Sequence, residues 1–136
     1  MDLLGDAPAL MISDESWRIY SRHEPHSPQY VSRDAIIENS LISEGCDICG
    51  RVENSVLGAG VVIEQGATVR NSLIFNGAVI GAGALVDFCI IDSNVSVGER
   101  CVIGDEISAS SGLSVIGAGV RLESESRVCG GKMIYA

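Results

Sequence analysis

The chain has 136 residues, a net charge of −9 and 46% hydrophobic residues, with only 4% of the chain aromatic. That acidity argues against non-specific binding to nucleic acid or to an anionic membrane, and no apolar run approaches the ~18 residues of a membrane span. Five cysteines, an odd number at irregular spacing, point to a reduced cytoplasmic compartment rather than a disulfide framework, and the N-terminus carries no basic start, apolar middle and cleavage site of a secretory signal.

In chain order, residues 1–10 have room for a helical turn or two, which Gly5 and Pro8 weaken. Residues 11–35 show no period, and Pro25, Pro28 and several polar residues read as an extended connecting segment. Residues 1–35 are therefore expected to form a linker or arm. From there a rhythm of about six takes over. Seventeen aliphatic residues recur from Ile37 and Ile42 to Val128 and Ile134, each Ile, Val or Leu, and many are followed four positions later by a small or β-branched residue such as Cys46, Ala67, Ala84 or Cys101. A helix needs a period of 3.6 and a half-buried strand a period of 2, so neither fits. A six-residue repeat is the signature of a parallel β-helix, an all-β fold in which each repeat supplies one short strand and a turn.

A longer beat lies inside the first. Asn39-Ser40-Leu41-Ile42, Asn54-Ser55-Val56-Leu57, Asn71-Ser72-Leu73-Ile74 and Phe88-Cys89-Ile90-Ile91 are four copies of one tetrad, offset by 15, 17 and 17 residues. Three sides per coil predict a triangular prism of about five coils over 36–136, with equivalent residues ~4.8 Å apart. Glu38, Glu53, Arg70 and Asp87 then form one column, whose last two steps place opposite charges side by side. Glycines such as Gly60, Gly66, Gly77 and Gly83 are expected at the corners. All three prolines precede the repeats, as a continuous backbone ladder requires. Residues 108–114 break the rhythm, since Ile103 to Ile116 is thirteen residues, and read as a protruding loop insertion before a last coil through Ile134.

The chemistry-bearing motifs are few. Cys46-x-x-Cys49 has no second Cys or His pair at zinc-site spacing, and Cys46 occupies the small-residue slot of its repeat, where a thiol acts as core filling. Gly81-x-Gly83 and Gly117-x-Gly119 neither open a predicted helix nor carry the third glycine of a dinucleotide fingerprint, so the corner reading holds for both. The two histidines, His23 and His26, both precede the first coil. A stand-alone hexapeptide acyltransferase needs a base at its acceptor, which the coils do not offer. No catalytic residue and no metal site is expected in the repeats.

Trp17-Arg18-Ile19-Tyr20, Pro28-Gln29-Tyr30-Val31, Asn39-Ser40-Leu41-Ile42-x-x-Gly45-Cys46 and Val52-Glu53-Asn54-Ser55-Val56-Leu57, in that order, are similar to the C-terminal region of glucose-1-phosphate adenylyltransferases. Met1-Asp2-Leu3-Leu4 resembles that family's interdomain linker, and Cys89-Ile90-Ile91-Asp92 and Val115-Ile116-Gly117 match its later coils. The resemblance covers nearly the whole chain. It implies a single-stranded left-handed parallel β-helix that serves as a C-terminal regulatory and oligomerisation domain. It also implies that catalysis, with its ATP and Mg2+, belongs to a preceding nucleotide-binding domain, and that Met1 is an internal methionine of a longer protein. On this reading the chain itself has no cofactor. Its partners are its own catalytic domain and a homo-oligomeric or paralogous subunit, and not nucleic acid or membrane. The tail of a mannose-1-phosphate guanylyltransferase is an alternative, as is the acyltransferase. In some members basic residues on the coils meet a phosphorylated effector; the positions that align with them hold Gly60, Asp87, Phe88 and Ser93, which departs from that pattern.

The remaining candidates for contact with an anionic effector are Arg18, Arg22, Arg51, Arg121, Arg127 and Lys132, with Arg121 and Arg127, six apart in consecutive repeats, the best pair. Leu41, Val56, Leu73 and Ile90 fall on one column of the tetrads and predict an apolar stripe that packs on a second subunit, on the catalytic domain, or under the 11–35 arm. The arm is expected to shield the N-terminal end of the prism, and Met133-Ile134-Tyr135 to fold across or extend the other.

Overall fold

A computed structural model describes residues 2–9, 15–16, 25–104 and 112–136. Among the described residues eighteen short strands build three parallel six-stranded sheets, and every third strand along the chain joins the same sheet. The result is a parallel β-solenoid of six coils. The first face stacks Tyr30–Val31, Asp47–Ile48, Val62–Ile63, Val79–Ile80, Ser96–Val97 and Arg121–Leu122. The second stacks Ile36–Glu38, Arg51–Glu53, Thr68–Arg70, Leu85–Asp87, Val102–Ile103 and Arg127–Val128. The third stacks Leu41–Ile42, Val56–Leu57, Leu73–Ile74, Cys89–Ile91, Ser114–Ile116 and Met133–Ile134.

The six-residue rhythm is the inside of this prism. Thirteen of the seventeen aliphatic residues are buried, from Ile48 to Val128, and Ile42, Leu122 and Ile134 pack against them partly covered. Each fully buried member contributes roughly 1.5–3 kcal/mol. The small residues four positions on, including Cys46, Ala67, Ala84 and Cys101, complete the core. Ile37 departs from the expectation: it is exposed, because its strand is the terminal one of its sheet.

Six coils replace the expected five because the ladder starts earlier. Tyr30–Val31 pairs with Asp47–Ile48, so part of the segment read as a connecting arm is the first strand of the first face. Val31 stands six residues before Ile37 and Ala35 four after Val31, which continues the rhythm; the prolines at 25 and 28 masked it. The loop expected at 108–114 is shorter at its far end, since Ser114 is a buried strand residue paired with Cys89. The rest of that loop, through residue 111, lies outside the described residues. At the C-terminal end Met133–Ile134 pairs with Val115–Ile116 and extends the third face.

Corners come in two kinds. At Gly60, Gly77 and their counterparts the backbone has φ between 67° and 76°, a region that costs other residues a Cβ clash. The tetrads turn a different corner with a side chain present: Asn39, Asn54, Asn71 and Phe88 have φ of 43°, 45°, 48° and 50°. Asn tolerates this conformation because its short amide finds local partners. Asn39 Nδ2 donates to Asn54 Oδ1 at 2.8 Å, one coil above. Phe88 has no amide to offer Asn71, and Asp87 takes its place, accepting from Asn71 Nδ2 at 3.0 Å and from Arg70 Nη2 at 3.1 Å.

Candidate functional site

The three faces differ in what they show outward. On the second face the charge column has the expected register, with Glu38 opposite Glu53, Glu53 opposite Arg70 and Arg70 opposite Asp87. Arg51 is drawn to Glu53 and lies 3.9 Å from Glu38. The first face presents Asp47, Val62, Val79, Ser96 and Arg121, a mixed column. On the third face the outward position is Leu41, Val56, Leu73, Ile90, Val115 and Met133, apolar on all six coils.

The stripe expected from four tetrads thus runs the full height of the prism. Its rims add to it. Among the described residues the large hydrophobic side chains exposed outside the first coil are Phe75, Phe88, Leu113, Met133 and Tyr135. Phe88 and Leu113 precede the buried position of their third-face strands, Phe75 and Tyr135 follow theirs, and Met133 is in the stripe itself. A protein with few aromatic residues has collected three of them, with Leu113 and Met133, along one side. Beside the stripe runs a ladder of small polar groups that pairs the backbone N–H of Ser55, Ser72 and Cys89. Ser40 Oγ accepts from Ser55 N, Ser55 Oγ from Ser72 N and Ser72 Oγ from Cys89 N, each at 3.2 Å. Ser55 and Ser72 in turn donate to the carbonyls of Glu53 and Arg70, both at 2.6 Å. Sequence reasoning missed Leu113-Ser114-Val115-Ile116 as a fifth tetrad, because 25 residues separate Leu113 from Phe88 where 17 were expected.

The cationic candidates do not converge. Arg121 lies on the first face and Arg127 on the second, each exposed and each followed by an inward residue, so the two project from different sides and form no pair. Lys132 is exposed in the turn that leads to the third face. Arg51 is engaged by carboxylates. Arg18 and Arg22 lie outside the described residues, as does His23. The departures from the effector pattern are equally unsuited to an anion: Asp87 is 3% exposed and acidic, and Phe88 is apolar.

His26 is exposed and packs against the turn at Gly45, where an added Cβ would come within 2.9 Å of the His26 Cβ. With Gln29, Ile42, Ser43 and Glu44 it lines an open cleft of about 600 Å³ at the first coil. Burial holds Cys46 and Cys89 in the thiol form. Cys46 is buried and donates toward Gly58 O at 3.2 Å, and burial pushes its pKa up. Cys49 faces Asp47 Oδ1 at 3.4 Å rather than Cys46. Cys89 is pushed up to about 12, chiefly by burial. Among the described residues no group of three or more His, Cys, Asp or Glu side chains is placed to hold a metal ion. No described helix is long and apolar enough to cross a membrane.

Residues 27–122 match the family model described as "GlmU-like, C-terminal hexapeptide". The chain is 41% identical over 106 residues to the glucose-1-phosphate adenylyltransferase of Bacillus mycoides strain KBAB4, and equally to that of Bacillus anthracis. In both cases the match covers 78% of this chain and 28% of the relative, in its C-terminal part. The chain thus spans less than a third of the length of the relatives it matches. The six-coil solenoid and the family match agree on one conclusion: the chain belongs to the GlmU-like, C-terminal hexapeptide family.

Proposed function

We propose that this chain acts as the C-terminal assembly and regulatory domain of a cytoplasmic glucose-1-phosphate adenylyltransferase of glycogen biosynthesis. That enzyme joins ATP and glucose 1-phosphate into ADP-glucose and diphosphate. ATP and Mg2+ bind in a catalytic domain that precedes these coils, and none of the residues described above takes part in the transfer. The supporting observation is the third face, with six coils of outward Leu, Val, Ile and Met rimmed by Phe88, Leu113, Phe75 and Tyr135. An apolar stripe of this length on an acidic protein favours a standing contact over exposure to water. The catalytic domain is the occupant, and a homologous or paralogous subunit completes the assembly.

The faces and the scattered arginines support a scaffold rather than a reaction centre. An acyltransferase needs a base beside its acceptor, and the coils hold no histidine. The purified chain is expected to release no diphosphate from ATP with glucose 1-phosphate and no thiol from acetyl-CoA with sugar acceptors. Turnover above the buffer blank in either assay would overturn this reading.

A further inference from the structure

Asn76-Gly77 is the one Asn-Gly pair in the chain and stands at an exposed corner between Leu73–Ile74 and Val79–Ile80. In a mobile chain this dipeptide is chemically labile, because glycine leaves its backbone nitrogen open to attack the preceding side chain. Here the reacting groups are both held by one residue of the coil below. Gly77 N donates to Ala59 O at 2.9 Å. Asn76 Oδ1 accepts from Ala59 N at 3.1 Å. The amide lies directly over Gly58, where any Cβ would collide with it. On the other side, Asn94 N donates to Asn76 O at 2.9 Å.

We propose that Asn76 is a latent deamidation site, latched by Ala59 in the folded coil and released when this corner opens. In the released state the Gly77 nitrogen loses its proton and bonds to Asn76 Cγ. The Cγ–Nδ2 bond breaks, and ammonia leaves with the proton. Water then opens the five-membered imide at either carbonyl, giving aspartate or isoaspartate. In the folded state the nitrogen is already donating its proton to Ala59, and Cγ is kept from approaching it by the bond at Oδ1. The isoaspartate product adds a backbone atom to a corner that fits between two neighbours, so modification prevents the coil from closing again. The site therefore records past opening of the middle of the solenoid.

The test follows modification at residue 76 by peptide mapping of the 136-residue chain, incubated in mildly alkaline buffer with and without unfolding urea. Modification is expected to be at least about tenfold slower in the folded chain, in proportion to the rarity of the open corner. Ala59→Pro removes the N–H that holds Oδ1 but keeps the carbonyl, at a turn position that proline favours before the φ of 67° at Gly60. This variant is expected to raise the folded-state rate severalfold. Equal rates in folded and unfolded chain, or no modification in urea, would overturn the proposal. So would a folded Ala59→Pro chain that is modified as slowly as the parent. If Ala59→Pro does not fold, the comparison with and without urea still decides.

Discussion

Asp87 shows how one residue repairs a break in the pattern. The asparagine column runs Asn39, Asn54, Asn71 and then meets Phe88, and the buried carboxylate next to Phe88 receives both the orphaned amide of Asn71 and the guanidinium of Arg70. Asp87→Ala removes the acceptor of the Asn71 amide and one partner of the Arg70 guanidinium. Loss of these charge-assisted bonds is expected to cost about 1–3 kcal/mol, to be read as a lower urea midpoint at unchanged slope. Cys89 makes a second residue-scale prediction. Its pKa is raised from 9.0 to about 12 in the folded chain, so the native state keeps a proton that the unfolded state gives up. Stability is then unaffected below about pH 9 and declines as pH rises from there through about 12. Cys46 is shifted in the same direction. Cys89→Ser is expected to fold, since serine fills this position on the neighbouring coils, and to flatten part of the alkaline decline in unfolding experiments followed against pH. The Glu38-to-Asp87 column was legible from spacing alone. The hydroxyl ladder was not, because a sequence shows Ser in register without showing which group donates to which.

At the scale of elements, periodicity located nearly every inward residue, since a coil with three sides repeats its core position whatever its corners hold. It failed where the coil length changed. Val31 and Ala35 follow the rhythm but sit beside prolines, and Leu113-Ser114-Val115-Ile116 repeats the tetrad after an insertion that resets the count. Corners were read too simply as glycine. Among the described residues seven non-glycines have positive φ, including three tetrad asparagines and Phe88. Phe88 bears a cost that asparagine avoids, so Phe88→Asn is expected to stabilise the chain by about 1 kcal/mol, seen as a higher melting temperature. It also removes an exposed ring from the rim of the third face, so the same variant is expected to bind the partner proposed for that face less well. A gain in stability with weaker assembly separates a residue kept for contact from one kept for folding.

For the molecule as a whole, the division of labour among the faces is the central result. Charge is confined to the first two faces and to the corners, and the third is left apolar from Leu41 to Met133. Four tetrads were enough to predict the stripe. Its aromatic rim and its full height needed the third dimension, because Phe75 and Tyr135 belong to no repeat position that the sequence singles out and the tetrad of Leu113 follows an insertion. Arg121 and Arg127 lie on different faces for the converse reason: six residues along this chain is one side of the prism, so neighbours in the rhythm belong to different sheets. The most direct test places Ile90→Glu and, as a control on the first face of the same coil, Val79→Glu in the full-length protein, proposed above to be a glucose-1-phosphate adenylyltransferase. Sedimentation and ADP-glucose synthesis are then measured, with the melting of the 136-residue chain as the check on folding. Burying an unpaired carboxylate in a contact is strongly unfavourable. Ile90→Glu is expected to break the assembly and cut synthesis at least about tenfold, while Val79→Glu leaves both intact and both variant chains melt as the parent does. An Ile90→Glu enzyme that assembles and works like the parent would contradict the assignment of the third face as the docking surface.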